Sequence, residues 1–187
     1  ASAVGNHEFD WGDAYFPAWT QDGGFPFLAA NIIDKRTGKT PSWAKPYEIL
    51  KVGGRKIAVV GLATKDTVNT VKATALVNYS FTDAAKSAHY WATIIRATEK
   101  PDAIIAITHI PTATDEIDAK RADSATALDE ISALCKHEDF DAIITGHSHL
   151  YVNGLNNGTP VLQAGYDGRS FDRVRFEFRD NETVKIS

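Results

Sequence analysis

The sequence of 187 residues contains no methionine and a single cysteine, Cys135. One cysteine excludes an internal disulfide framework, and its place beside Leu134 in an apolar helical pattern marks it as a core thiol. No run of about eighteen apolar residues occurs, so no stretch of this chain reads as a membrane-spanning helix. The first residues show no basic segment followed by an apolar one. An excess of positive charge is missing too: 20 basic and 24 acidic residues are interspersed and leave a formal charge of −4. Without a basic stripe to neutralise a phosphate backbone, the chain is a poor partner for bulk nucleic acid. Internal repeats, low-complexity tracts and linkers are absent. Glycine is lacking between Ile110 and Asp123, a polar stretch of the length used by functional loops.

An apolar content of 43% is enough for one core, which suggests a single domain over 1–187. Strand and helix patterns alternate along it. Phe25 to Ile32 reads as an apolar strand, and Tyr47 to Leu62 as two strands around the Gly53-Gly54 turn. Helical spacing begins near Thr82 or Asp83, with Ala84, Ala88, Trp91 and Ile95 on one face, and Pro101 bars its continuation. Asp102 to Ile107 is a buried strand, Ser124 to His137 a helix with Leu128, Ile131 and Cys135 inward, and Asp141 to Gly146 another buried strand. Pro160 to Gly165 and the closing Phe171 to Phe178 read as strands, the latter with Phe171, Val174, Phe176 and Phe178 on its dry face. The fold class is therefore layered α/β.

Three apolar runs end alike, at Gly5-Asn6-His7, at Thr108-His109 and at Gly146-His147, with His149 two residues further on. Ligands bind at the carboxyl ends of strands in such sheets, so four of the six histidines converge there if the three strands are neighbours. Imidazole and amide oxygen are ligands for borderline divalent ions, which makes a metal site the direct reading. In the Gly146-His147-Ser148-His149 turn, residues two apart can face two different ions, and Gly146 permits close backbone approach. Asn6 offers its carbonyl oxygen. His7 points elsewhere, and Asp10 can accept from its ring and fix the tautomer, making these two an oriented pair beside the metal. A lone histidine at a strand end is more often a satisfied residue than a ligand; four at equivalent ends are not. His89, His137 and the four tryptophans read as structural, and Asp115, Glu116 and Asp118 as a solvated face.

"GNHEFDWG", "THIP" and "GHSH", in this order, resemble the third, fourth and fifth sequence blocks of the calcineurin-like metallophosphoesterases. The 5'-nucleotidase and 2',3'-cyclic phosphodiesterase branch is the nearest likeness, and it extends over essentially the whole chain. The resemblance implies a sandwich of mixed β-sheets flanked by helices. It also implies that Asn6, His109 and His147 bind one divalent ion and His149 a second, with zinc or manganese expected. His7 and Asp10 would form the catalytic dyad at the substrate phosphate. The implied reaction is hydrolysis of phosphate esters, nucleotides foremost, by a water activated between two ions roughly 3.5–4 Å apart. The implied location is periplasmic, secreted or cell-surface.

Two earlier blocks of the family, an Asp-x-His and a Gly-Asp that complete the ion pair, have no counterpart among the residues before Asn6. The branch's C-terminal nucleotide-binding domain has none either. The expectation is a partial catalytic domain with N-terminal strands missing, holding at most one ion weakly. Two other readings stand beside hydrolysis of phosphate esters: a thiosulfohydrolase-like relative, and a non-catalytic metal-binding or assembly fragment. For the geometry, the strands ending at His7, His109 and His147 should lie side by side. Asn6, His109 and His147 should approach one point.

Overall fold

A computed structural model of the chain describes residues 1–112, 130–179 and 182–186. The loop expected after Ile110, its acidic residues Asp115, Glu116 and Asp118, and the first part of the helix expected from Ser124, Leu128 included, lie outside the described residues.

In chain order the strands are β1 (Ser2–Ala3), β2 (Phe27–Leu28), β3 (Ile32–Asp34), β4 (Ala44–Lys45), β5 (Tyr47–Val52), β6 (Arg55–Ala63) and β7 (Tyr79–Phe81). These are followed by β8 (Ala103–His109), β9 (Ala142–Ile144), β10 (Tyr151–Asn156), β11 (Thr159–Ala164), β12 (Phe176–Arg179) and β13 (Glu182–Ile186). Among the described residues the α-helices are α1 (Phe16–Gly23), α2 (Thr67–Thr70), α3 (Ala84–Thr98) and α4 (Glu130–Cys135).

A six-stranded mixed sheet, in the order β10-β11-β9-β8-β6-β5, forms the larger layer. The β5–β6 hairpin turns at Gly53 and Gly54, both at positive φ (57° and 80°), the conformation a two-residue hairpin turn demands and glycine adopts without strain. β6, β8 and β9 run parallel, with Ala63 opposite His109 at the carboxyl end. Helix α3 starts where Asp83 accepts a hydrogen bond from the Lys86 N–H at 3.0 Å, a side-chain N-cap. It buries Ala84, Ala88, Ala92 and Ile95 against this sheet, while Trp91 lies at the margin and donates its indole N–H to the Ala30 carbonyl. Ile131 and Cys135 of α4 are buried, as their spacing implies.

The second layer is the parallel sheet β1-β2-β4, which lies against β6 and β8. Gly61 permits the contact: a Cβ there would sit 2.2 Å from Leu28 Cβ and 2.5 Å from the Leu28 carbonyl oxygen. The strand expected over Phe25 to Ile32 is thereby split between two sheets, since β2 pairs with β1 and β4 whereas β3 pairs with β7. The expectation of three histidine-bearing strands in one sheet is also corrected. β8 and β9 are neighbours, but β1 belongs to the facing layer, so its residues reach the same edge from above the sheet.

The closing stretch forms a strand only from Phe176. Val174, Phe176 and Phe178 are the half-buried alternates, but Phe171 is out of phase with them and is 85% exposed. Trp11, expected to pack, is 66% exposed and makes a T-shaped contact with Trp19 at 6.3 Å. His89 belongs to a separate cluster, with Asp139 at 3.0 Å and the His137 ring at 4.7 Å.

Candidate active site

The apolar run of β8 delivers His109 to the carboxyl edge of the larger sheet, and β9 leads into the 145–150 turn that carries His147 and His149. From the facing layer, β1 leads into a 3-10 turn, His7–Phe9, that starts on Asn6 and is pinned by the buried Phe9. The two layers meet at His109. Its Nε2 lies 2.9 Å from Asn6 Oδ1 and 3.1 Å from His147 Nδ1, and the two imidazoles are edge-on at 4.9 Å. Asn6 is buried, which holds its amide in this position.

Glycine is required behind His109, but at Gly5. A Cβ on Gly5 would lie 2.8 Å from His109 Cγ, whereas one on Gly146 would meet nothing closer than 3.5 Å. The close approach expected at Gly146 therefore belongs to Gly5, because the facing layer and not the histidine turn presses on the ring. The Gly5 N–H donates to the Glu8 carboxylate at 2.6 Å and closes the turn.

His147 and His149 both occupy the left-handed region, at φ 76° and 59°. Non-glycine residues rarely do so, and the strain persists only where surroundings over-determine it. Those surroundings are polar. Gln163, buried on β11, accepts from Thr145 Oγ1 at 3.0 Å and from Ser148 Oγ at 3.1 Å, and donates to the Leu150 carbonyl at 2.8 Å. Neither Gln163 nor Ser148 stands out in the sequence; the one local signal is an amide inside an otherwise apolar strand, Pro160 to Ala164.

His7 Nδ1 is 2.7 Å from Asp10 Oδ2, and the His7 side chain is 76% exposed. This pair faces solvent beside the Asn6–His109–His147 group. His149 is stacked on Tyr166 at 5.4 Å and makes no described hydrogen bond to that group, although it is near enough to act electrostatically on His109 and His147.

Burial pushes the His109 imidazole down to about 4, with the nearby His147, His7 and His149 adding to the shift. His147 is lowered as well, by burial first, while the Asp66 carboxylate opposes the change. Both rings are consequently neutral at neutral pH, the form that binds metals. An amide oxygen and two imidazole nitrogens gathered within hydrogen-bond distance suit a borderline divalent cation in kind. They bring no negative charge, and among the described residues no group of three or more His, Cys, Asp or Glu side chains is arranged to hold a metal ion.

A layered α/β sandwich whose strand ends assemble an amide and histidines defines the class of fold and site. Residues 1–151 match the family model for calcineurin-like phosphoesterases, and the chain belongs to that family. Over 206 aligned residues it is 32% identical to a 5'-nucleotidase of Vibrio vulnificus, a match covering all of this chain and 36% of that protein. It is 26% identical over 200 residues to the cell wall protein Lmo0130 of Listeria monocytogenes, covering 93% of this chain and 25% of the relative. Its fold superposes on the crystal structure of the calcineurin-like phosphoesterase YfkN of Bacillus subtilis with a TM-score of 0.75 at 21% identity, over 99% of this chain and 60% of that one. The chain thus spans about a third of the length of the curated nucleotidase it matches.

Proposed function

We propose that this chain carries part of the catalytic centre of a divalent-metal-dependent phosphoesterase that hydrolyses nucleotides. The observation that carries this reading is the position of His109 Nε2, within 2.9 Å of Asn6 Oδ1 and 3.1 Å of His147 Nδ1. Family membership and the 5'-nucleotidase relative support the reaction and the substrate class.

Asn6, His109 and His147 would hold one ion and His149 would contribute to a second, with zinc or manganese the expected metals. When bound, the ions supply Lewis-acid polarisation of the phosphoryl group and an activated water for in-line attack. His7 does the remaining proton work. When the ring carries both protons, its Nδ1–H donates to Asp10 and its Nε2–H donates to the phosphoryl or leaving oxygen, with Asp10 fixing the orientation of the ring. The exposure of the His7 side chain supports this role, because a substrate arriving from solvent can reach it. Gln163 keeps the strained His147–His149 turn in place without touching substrate.

The donors gathered at His109 are neutral, and the chain spans about a third of the nucleotidase it matches, so we place the carboxylates that balance two dications outside the described residues. By this reading the isolated chain hydrolyses phosphate esters poorly. The name of the Listeria relative supports placing the longer protein outside the cytoplasm, in the periplasm, the medium or the cell surface. No helix among the described residues is long and apolar enough to cross a membrane.

The test measures metal content and hydrolysis of a nucleoside monophosphate by the longer protein. His147→Ala should lower metal occupancy, while His7→Ala should keep it and slow turnover by about 10²- to 10⁴-fold. Equal metal loss in both variants overturns the division of roles. Full activity of the isolated 187-residue chain overturns the incomplete site.

A further inference from the structure

The backbone of His109 is held from one side. Toward β9 the pairing of β8 stops at Ile107, two residues earlier, whereas toward β6 it continues through Ala63 opposite His109 and ends with the Thr64 N–H donating to the His109 carbonyl at 3.1 Å. The turn that carries this last bond is clamped from the helix layer. Glu130, the first residue of α4, accepts from the Thr64 hydroxyl at 2.5 Å and from the Lys65 N–H at 3.1 Å. Thr64 is buried, and its Oγ1 also accepts from the Asp66 N–H at 3.1 Å, so one hydroxyl joins the carboxylate to the whole turn. The base of the clamp is fixed as well: Ile131, Leu134 and Cys135 of α4 are buried, and Ser132 accepts from Asn156 Nδ2 on β10 at 2.9 Å.

We propose that Glu130 is a positioning residue for the Asn6–His109–His147 group, acting through Thr64 on the backbone of His109 and touching neither ion nor substrate; the proposal rests on the metal-binding reading above. The last bonds of a ladder open most readily, because nothing beyond them holds the strands together. Here that end carries a metal donor. Bonds to a carboxylate are stronger than bonds between neutral groups, so Glu130 keeps the Thr64 N–H aimed at the His109 carbonyl. Without the carboxylate, the buried Thr64 hydroxyl loses its acceptor and the turn must shift to find another. The imidazole follows its backbone, and its distances of 2.9 Å to Asn6 and 3.1 Å to His147 are no longer fixed.

The test equilibrates the longer protein, stripped of metal, with chelator-buffered zinc and follows the ion whose binding His147→Ala removes. Glu130→Ala should raise the zinc concentration at half occupancy about tenfold, the smaller end of the loss seen when a group that holds a metal ligand in place is removed. Glu130→Gln keeps one accepting oxygen and should recover part of that loss. Thr64→Val should match Glu130→Ala, and Thr64→Ser should bind zinc as the wild type does. Combining Glu130→Ala with Thr64→Val should add nothing further, because both break the same path. Asp102→Asn breaks a carboxylate clamp at the amino end of the same two strands, where Asp102 accepts from Arg55 and the Lys56 N–H, and should lower the urea midpoint with zinc affinity unchanged. Zinc affinity that merely follows the urea midpoint across these variants, or that Glu130→Ala leaves alone, overturns the positioning role. Absence of any zinc ion that depends on His147 overturns the metal-binding reading and this role together. A tenfold effect of Glu130→Ala in a protein that hydrolyses no phosphate ester overturns the reaction proposed above and upholds the role.

Discussion

The molecule has two interiors of different chemistry. Beneath the six-stranded sheet, Ala58, Val60, Leu62, Ala92, Ile95, Ile104 and Ile143 form an aliphatic core sealed by α3 and α4. Under the smaller layer, Phe9, Phe16, Phe27 and Tyr79 pack with Trp19, Trp43 and Phe81. The aliphatic half is made of long elements whose backbones are held by continuous ladders. In the aromatic half, strands of two or three residues and 3-10 turns supply few ladder bonds, and large rings supply the buried area instead. Asn6, His7 and Asp10 stand on the aromatic half; His109 and His147 stand on the aliphatic half. The site occupies the seam, so its geometry depends on both kinds of packing.

The largest effect is expected where the aromatic half has least redundancy. Phe9 is fully buried and touches four rings, with centroids 5.7 Å away at Phe16, 5.8 Å at Tyr79, 6.0 Å at Phe81 and 6.1 Å at Trp43. Phe9→Ala should cost about 3–5 kcal/mol, against about 0.5–1.5 kcal/mol for Ile143→Val in the aliphatic half. Urea denaturation measures both. Phe9 also lies between His7 and Asp10 in sequence, so its loss should loosen their 2.7 Å contact. Equal costs for the two variants would mean that the rings are no more than interchangeable filler.

The seam itself is tested by two glycines. Gly5→Ala places a methyl group 2.8 Å from His109 Cγ, and the ring or the layer must move, at about 1–3 kcal/mol. Gly146→Ala meets His109 Nδ1 at 3.5 Å, an ordinary contact. Metal affinity, followed by zinc titration, should fall for Gly5→Ala and stay close to wild type for Gly146→Ala. The reverse order would place the tight contact on the histidine turn.

The same two halves differ in how legible they were. In the aliphatic half, period and capping chemistry stated the answer: the Gly53-Gly54 hairpin, the Asp83-capped helix and the strands ending at His109 and before His147 all stand where patterning put them. Local signals agreed there with the tertiary structure. In the aromatic half, Phe25 to Ile32 read as one strand because apolarity alone cannot show that the chain changes sheets within it. The grouping of Asn6 with His109 and His147 is what the family resemblance implies, and the strand ends point only to a common edge; the layer that carries Asn6 is signalled by neither. Gly5 and Gln163 escaped notice because their roles depend on neighbours about a hundred and about fifteen residues away, Gly5 on His109 and Gln163 on Ser148. No local period encodes such contacts.

The smallest effect separates the halves by acid. In the aromatic half, Asp34 accepts from Arg36 Nε at 2.9 Å and Nη2 at 2.7 Å, and these bonds hold its carboxyl below the usual value of 3.8 against the opposing effect of burial. In the aliphatic half, Asp102 is lowered first by the Lys56 N–H at 2.7 Å and then by Arg55 at 2.9 Å. A carboxyl depressed on folding contributes stability above its unfolded value, and that contribution is lost as pH falls below 3.8 through the folded value. Both groups therefore steepen the loss of stability on the acid limb below about pH 4. Urea midpoints measured from pH 5 downward should flatten for Asp34→Asn and for Asp102→Asn. Asp34 has a side chain 7% exposed against 28% for Asp102, so water screens its Arg36 pair less and its substitution should flatten the limb more. A larger change at Asp102 would show instead that its bonds to β6 across the sheet outweigh the tighter local pair, and the aliphatic half would then be the more acid-sensitive of the two.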